Sequence, residues 1–182
     1  MDPSNTPTSS AFDISALCSA KLQSTEKIRL ALQICHEAHL GQTDKGGTPY
    51  IFHPIHLAEQ METEDEICTA LLHDVLEDSH YTIEDLRQAG FSETVLEALH
   101  LLTHAPQVPY MEYVLGTKVN PLARKVKLAD LTHNSDLSRL RHPSPYDYTS
   151  KSIERTTRRL YICKEKLDSI NKEENTINKN HL

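Results

Sequence analysis

The sequence predicts an all-α fold, and three observations carry that expectation. Apolar residues recur at helical spacing in one segment after another, Ser, Thr or Asn stands at the cap position before most of them, and no stretch alternates apolar and polar residues as a half-buried strand would. With 182 residues the chain suits a single domain. A domain of that size hides roughly two-thirds of its unfolded surface, enough for a real core.

The elements follow in chain order. Residues 1–23 are rich in Ser, Thr, Pro and Asn at their start and read as a loose N-terminal segment. A first helix is expected from about Thr25 to Leu40, with Ile28, Ala31, Leu32, Cys35 and Ala38 on one stripe. Gly41, Gly46, Gly47 and Pro49 then punctuate a loop. Pro54 suits the first turn of a short helix carrying Ile55, Leu57 and Ala58, which puts His53 at its mouth. Thr63 and Glu66 have capping-box spacing and open a continuous helix, EDEICTALLHDVLED. Thr82 caps a short helix that Gly90 ends, and Ser92 caps another with Val95, Leu96 and Leu99. Pro109 to Val119 is a weaker helical stretch. Asn120 followed by Pro121 opens PLARKVKLADLTHNSDLSRL, and a last amphipathic helix is expected over roughly Tyr146 to Leu167. The domain is thus expected over 24–169, with a polar, loose tail over 170–182.

Composition bounds the function. Only 5 glycines are present, and neither G-x-x-x-x-G-K-[ST] nor G-x-G-x-x-G occurs, so a P-loop or Rossmann phosphate site has no support. The formal net charge is −7 and no basic stripe is visible, which argues against a nucleic-acid partner. An anionic small molecule stays compatible, because a bound divalent ion with a few lysines reverses the local field. Cys18, Cys35, Cys68 and Cys163 form no C-x-x-C and read as reduced thiols. With no signal-peptide pattern and no membrane-length apolar run, the expected setting is cytoplasmic, with no membrane partner. A homo-oligomer is left open.

The chemistry concentrates at His73, Asp74, Glu77 and Asp78. In a continuous helix, residues four apart share a face, so His73 lies beside Glu77 and Asp74 beside Asp78. Three carboxylates within two turns repel unless they are solvated or a cation sits among them. Imidazole and carboxylate together offer the N and O ligands that divalent metals accept. Taken alone, the run H-D-x-x-E-D reads equally as a solvated acidic helix end. His53, directly before Pro54, reads by itself as a capping or core-edge histidine. Asp130 stands among Val126, Leu128, Ala129 and Leu131, where an unpaired carboxylate is expensive. Its partner is a metal ion, or else Lys127 or Arg124. His133 and Asn134 follow within a turn, as groups behind the site, as substrate groups, or as a plain polar face. His36, His39, His56, His80, His100 and His104 read as surface or capping residues.

The order His53, His73–Asp74, Asp130 resembles that of the HD superfamily of metal-dependent phosphohydrolases. Three strings, GQTDKGGTPYIFHPIHLA, LLHDVLEDS and VKLADLTHN, are similar to the hydrolase domain of Rel/Spo-type alarmone enzymes, over about Ile28 to Leu140. No synthetase-like segment follows them, so the expectation is a stand-alone small alarmone hydrolase. The resemblance implies a single HD-domain helical bundle with its metal site in a central cleft. It implies His53, His73, Asp74 and Asp130 as ligands, usually of manganese, and Glu77 and Asp78 as the catalytic acidic pair. It matches Asn134 and Lys45 to substrate contacts, and Tyr113 to a tyrosine on the nucleotide side. Lys127, with Arg124, would offset phosphate charge; otherwise Lys127 snorkels at the surface. The implied reaction removes the 3′-pyrophosphate of (p)ppGpp. Asp44 departs from the pattern, because the long alarmone enzymes usually carry an arginine there that stacks on guanine. That opens the alternative of an HD-type nucleotidase or phosphatase acting on ppApp, NADPH or a nucleoside monophosphate. A third reading is a nucleotide-binding regulatory module without catalysis.

Overall fold

The computed structural model describes residues 18–44, 46–136 and 161–162. Among them the chain is helical, and its one extended pairing is an isolated antiparallel bridge between Thr43 and Pro49. The helices are α1 (Glu26–Ala38), α2 (Phe52–Glu59), α3 (Glu64–Leu72), α4 (Val75–Asp78), α5 (Ile83–Gln88), α6 (Glu93–Leu102), α7 (Tyr110–Gly116) and α8 (Pro121–Ser135). Single 3-10 turns at Lys21–Gln23 and Thr117–Val119 complete them.

The expected caps form. Thr25, Thr63, Thr82 and Ser92 each accept a backbone N–H at the third residue of the helix that follows. Thr63 with Glu66, and Thr82 with Asp85, close reciprocal capping boxes. Asn120 accepts from both Leu122 and Ala123 and has Pro121 in the first turn behind it. Gly90 ends the α5 segment at φ +80°, a conformation that suits glycine.

Helix α3 is the centre of the bundle. Every residue from Ile67 to Leu72 is buried, so the helix is covered on all sides, by α1, α2, α6 and α8. Its one polar interior group, the Thr69 hydroxyl, donates to the Asp65 carbonyl at 2.7 Å. The core continues through Leu22, Ile28, Leu32, Cys35, Leu57, Val75, Leu86, Val95, Leu99, Ala123 and Val126. Tyr113, Val114 and Leu131 form a smaller cluster where α7 meets α8.

Three expectations change. The N-terminal segment taken as loose through residue 23 contains an ordered turn, because Leu22 is fully buried and anchors it. Helix α2 begins at Phe52, so His53 lies inside its first turn rather than at its mouth, while Pro54 is in the first turn as expected. The helix expected to run unbroken from Glu64 to Asp78 stops at Leu72 and restarts at Val75. The cause is local: His73 Nδ1 lies 2.8 Å from the Ala70 carbonyl, the acceptor that an unbroken helix would offer to the Asp74 N–H. The expected helix Tyr146–Leu167 lies outside the described residues except for Tyr161 and Ile162, which are helical. The tail 170–182 and Cys163 also lie outside them. Cys18, Cys35 and Cys68 are free thiols.

Candidate metal centre

The break between α3 and α4 places His73 and Asp74 at the end of the buried central helix. Helix α2 supplies His53 from one side and α8 supplies Asp130 from the other. One ligand atom each from His53, His73 and Asp130 fall within 4.8 Å of one another, and all three residues are buried. Asp74 Oδ2 joins them, 3.0 Å from His73 Nε2 and 3.9 Å from His53 Nε2, while Asp130 Oδ1 lies 3.3 Å from His53 Nε2. An ion with ligand bonds of about 2.0–2.2 Å sets its ligand atoms roughly 3–4 Å apart, so these spacings match one shared cation.

The buried nitrogens test that fit. His53 Nε2 and His73 Nε2 have no aligned hydrogen-bond partner, although carboxylate oxygens stand close by. Leaving such atoms unmatched in a core is costly, and a cation facing both lone pairs removes the cost. On His73 the opposite nitrogen is occupied by the Ala70 carbonyl, which fixes Nδ1 as the protonated atom and Nε2 as the donor to a metal. The residues therefore fit a divalent ion held by imidazole and carboxylate.

The electrostatics show how tightly the group is coupled. Burial alone would lower the His73 pKa, but Asp74 and then Asp130 beside it raise it to about 9. Burial would raise Asp74, but His73 holds it down to about 2, helped by the Tyr50 hydroxyl, which donates to its Oδ2. Asp130 is likewise lowered against its burial, chiefly by Lys127, whose ammonium donates to Oδ2 at 2.8 Å. The second Asp130 oxygen, Oδ1, accepts from Asn134 and faces His53.

The other expected residues divide into a rim and a second layer. Glu77 and Asp78 lie exposed at the rim, and partial burial followed by the Asp74 charge raises both carboxyls. One Glu77 oxygen accepts the backbone N–H of His104. Asn134 is exposed beside Asp130. Lys127 is buried, not a snorkelling surface lysine: Asp130 and the Tyr113 ring, 5.0 Å from its ammonium, hold it inside the fold. Tyr113 is buried too, and its hydroxyl donates to the Leu102 carbonyl, so it faces inward. Lys45 lies outside the described residues. Asp44, the residue in the place of the usual arginine, organises its own loop, its Oδ1 accepting from Gly46 N at 2.8 Å and Thr48 N at 2.9 Å. A pocket of about 460 Å³ opens beside this loop, bordered by Tyr50, Phe52, His53, His56 and His133.

Sequence reasoning missed Tyr50, His39 and the pairing of His133. His39 is the C-cap of α1, one of the two roles expected for it, but it is buried rather than at the surface, with its Nδ1 2.9 Å from Gln42 Oε1 and its ring packed on Tyr50. Tyr50 stands three residues before His53, a spacing at which the two can share a helical turn, and that was the available signal. His56 is exposed, as expected of it, and its ring stacks on His133.

Fold and site together define an all-α, HD-type domain with a His/Asp ligand group. No protein-family model matches the chain. The chain is 32% identical over 134 residues to a guanosine-3′,5′-bis(diphosphate) 3′-pyrophosphohydrolase of Aquifex aeolicus, matching 67% of this chain and 19% of that protein. It is 30% identical over 124 residues to the bifunctional (p)ppGpp synthase/hydrolase SpoT of Escherichia coli, matching 60% of this chain and 18% of that protein. The chain thus spans about a fifth of the length of these curated relatives. A solved structure, described as a metazoan ortholog of SpoT that hydrolyzes ppGpp, superposes with a TM-score of 0.62 at 21% identity, over 82% of this chain and 96% of the other. Sequence and fold are therefore similar to those of Rel/Spo-type hydrolases. Among the described residues, no helix is long and apolar enough to cross a membrane.

Proposed function

We propose that the chain is a metal-dependent phosphohydrolase that removes the 3′-pyrophosphate of (p)ppGpp, giving GDP or GTP and pyrophosphate. The observation that carries this reading is the convergence of two buried, unmatched imidazole nitrogens with two carboxylates, in a chain whose relatives bear the name of that reaction. The catalytic domain in this reading covers 24–169 and works in the cytoplasm.

His53, His73, Asp74 and Asp130 hold the ion, for which manganese is the proposed occupant. A divalent cation there supplies Lewis acidity toward a phosphoryl oxygen and makes water more acidic. Glu77 and Asp78, at the rim and with raised pKa values, position the attacking water and take up its proton. The His104 N–H steadies one Glu77 oxygen and leaves the other to the water. The new bond joins the water oxygen to the phosphorus on the ribose 3′ oxygen. The bond from that phosphorus to the 3′ oxygen breaks, and the 3′ oxygen leaves with a proton. Lys45 and Asn134 are the substrate contacts on the open side. Lys127 and Tyr113 act from beneath, by holding Asp130 in place and leaving positive charge under the phosphates.

Asp44 favours a second reading for the base alone. With its carboxylate engaged by its own loop and no arginine in its place, guanine has lost its usual stacking partner, and another nucleotide becomes the alternative. One assay separates the two. Metal-stripped chain is reloaded with manganese and offered ppGpp, ppApp, NADPH and nucleoside monophosphates. Pyrophosphate release from ppGpp is the expected result. Turnover of monophosphates alone would sink the alarmone reading, and release from ppApp in preference to ppGpp would move the base assignment.

A further inference from the structure

His53 has a neighbour that decides what its ring can do. His53 Nδ1 lies 2.6 Å from His133 Nδ1, with ring planes 16° apart and centroids 4.8 Å apart. Rings this far apart whose nearest atoms are nitrogens meet edge to edge and nearly in plane. The contact therefore runs along a nitrogen lone pair and is a well-directed hydrogen bond. The His56 ring also stacks on His133, with centroids 4.3 Å apart and planes 26° apart. His53 and His56 both come from α2, so His133 of α8 contacts two side chains of one helix.

So short a nitrogen–nitrogen contact holds one proton, and one ring must accept from the other. With the proton on His133, His53 would carry its own on Nε2 and aim it into the ligand group. Asp130 Oδ1 is 3.3 Å from that atom, yet the two are not aligned for a hydrogen bond. With the proton on His53 Nδ1, Nε2 offers a lone pair, as a metal ligand must. We propose that His133 is a positioning residue, which accepts the Nδ1–H of His53 and thereby sets the tautomer and ring orientation in which His53 Nε2 binds the ion. His73 obtains the same effect from the Ala70 main chain. The two histidines are thus fixed by unlike acceptors, one invariant in any variant and one replaceable.

This inference rests on the metal reading above, and its test does not depend on turnover. Manganese binding to the full chain is titrated calorimetrically, and the visible absorption of the cobalt-loaded chain reports the ligand set. His133→Phe keeps the ring stack and removes the acceptor. It should weaken manganese about 10–100-fold and alter the cobalt bands. His133→Asn places an amide oxygen near the lost Nδ1 and should restore most of the affinity, whereas His133→Gln, whose oxygen lies one carbon further out, should not. Wild-type affinity in His133→Phe would overturn the proposal and leave the function standing. Equal losses in the Asn and Gln variants would also overturn it, as a merely structural role predicts. If His53→Ala too binds manganese like the wild type, the metal reading falls and takes this inference with it.

Discussion

Asp74 and Glu77 are three residues apart and both acidic, yet their surroundings assign them different work. Asp74 is packed against His73, receives the Tyr50 hydroxyl and sits at ligand distances from two imidazoles. Glu77 is at the rim, tied to the His104 backbone. Asp74→Ala should therefore lose both the ion and turnover. Glu77→Ala should keep the ion and lose turnover by about 10²–10⁴-fold, the usual contribution of a positioned acid–base group. Metal content and initial rates, measured on the same preparations, check this, and equal metal loss in the two variants would show that the division is wrong. At this scale the sequence was readable wherever a residue contradicted its local setting. The His73–Asp74 pair in an apolar helix and Asp130 among Val126, Leu128 and Leu131 are of that kind. Tyr50 with Asp74 and His53 with His133 were not readable, since 24 and 80 residues separate the partners and neither tyrosine nor histidine is out of place locally.

Helix boundaries followed the sequence wherever caps set them, because a cap is a contact between residues three apart. The break at His73 escaped that logic. The residues before it include no Gly or Pro to end a helix, and the interruption arises from a side chain taking a main-chain acceptor. The capping box of α3 gives a test at this scale. Partial burial alone would raise the Glu66 pKa, but hydrogen bonds from Lys125 and from the backbone N–H groups of Glu62 and Thr63 outweigh it and lower the pKa. A carboxyl with a folded-state pKa below its unfolded value stabilises the fold above the unfolded pKa and loses that contribution as pH falls through the folded one. Denaturant unfolding should thus show Glu66→Gln less stable than the wild type near neutrality. The gap should narrow as pH is lowered through the carboxylate range below the ordinary 4.5. A gap that stays constant across that range would mean that the charge of Glu66 contributes nothing to the α3 start. Thr63→Ala removes the other half of the box and should cost about 1 kcal/mol at any of these pH values.

The whole molecule exists, in chemical terms, to bring three elements to one point. Helix α3 is buried on all sides, so its C-terminal end is fixed by the core, and α2 and α8 pack on it with His53 and Asp130 facing that end. This convergence could be anticipated only from the family resemblance, since periodicity locates helix faces but not which helices meet. Its energetic consequence can be measured. Without a cation, Asp74 and Asp130 repel each other, and the group depends on a proton held by His73 and on Lys127 for balance. The unfolded chain scatters the same ligands over nearly 80 residues and cannot gather them around an ion. An ion that binds only the folded state stabilises it by about 2.7 kcal/mol at a concentration 100 times its dissociation constant. For a chain of this length that corresponds to a rise in Tm of roughly 5–10 °C. Thermal unfolding of chelator-treated and manganese-loaded chain should differ by that amount, and the difference should disappear in Asp130→Ala. Identical curves for treated and loaded wild type would mean that the buried nitrogens of His53 and His73 are not facing a common ion. An undiminished shift in Asp130→Ala would place the ion elsewhere on the fold.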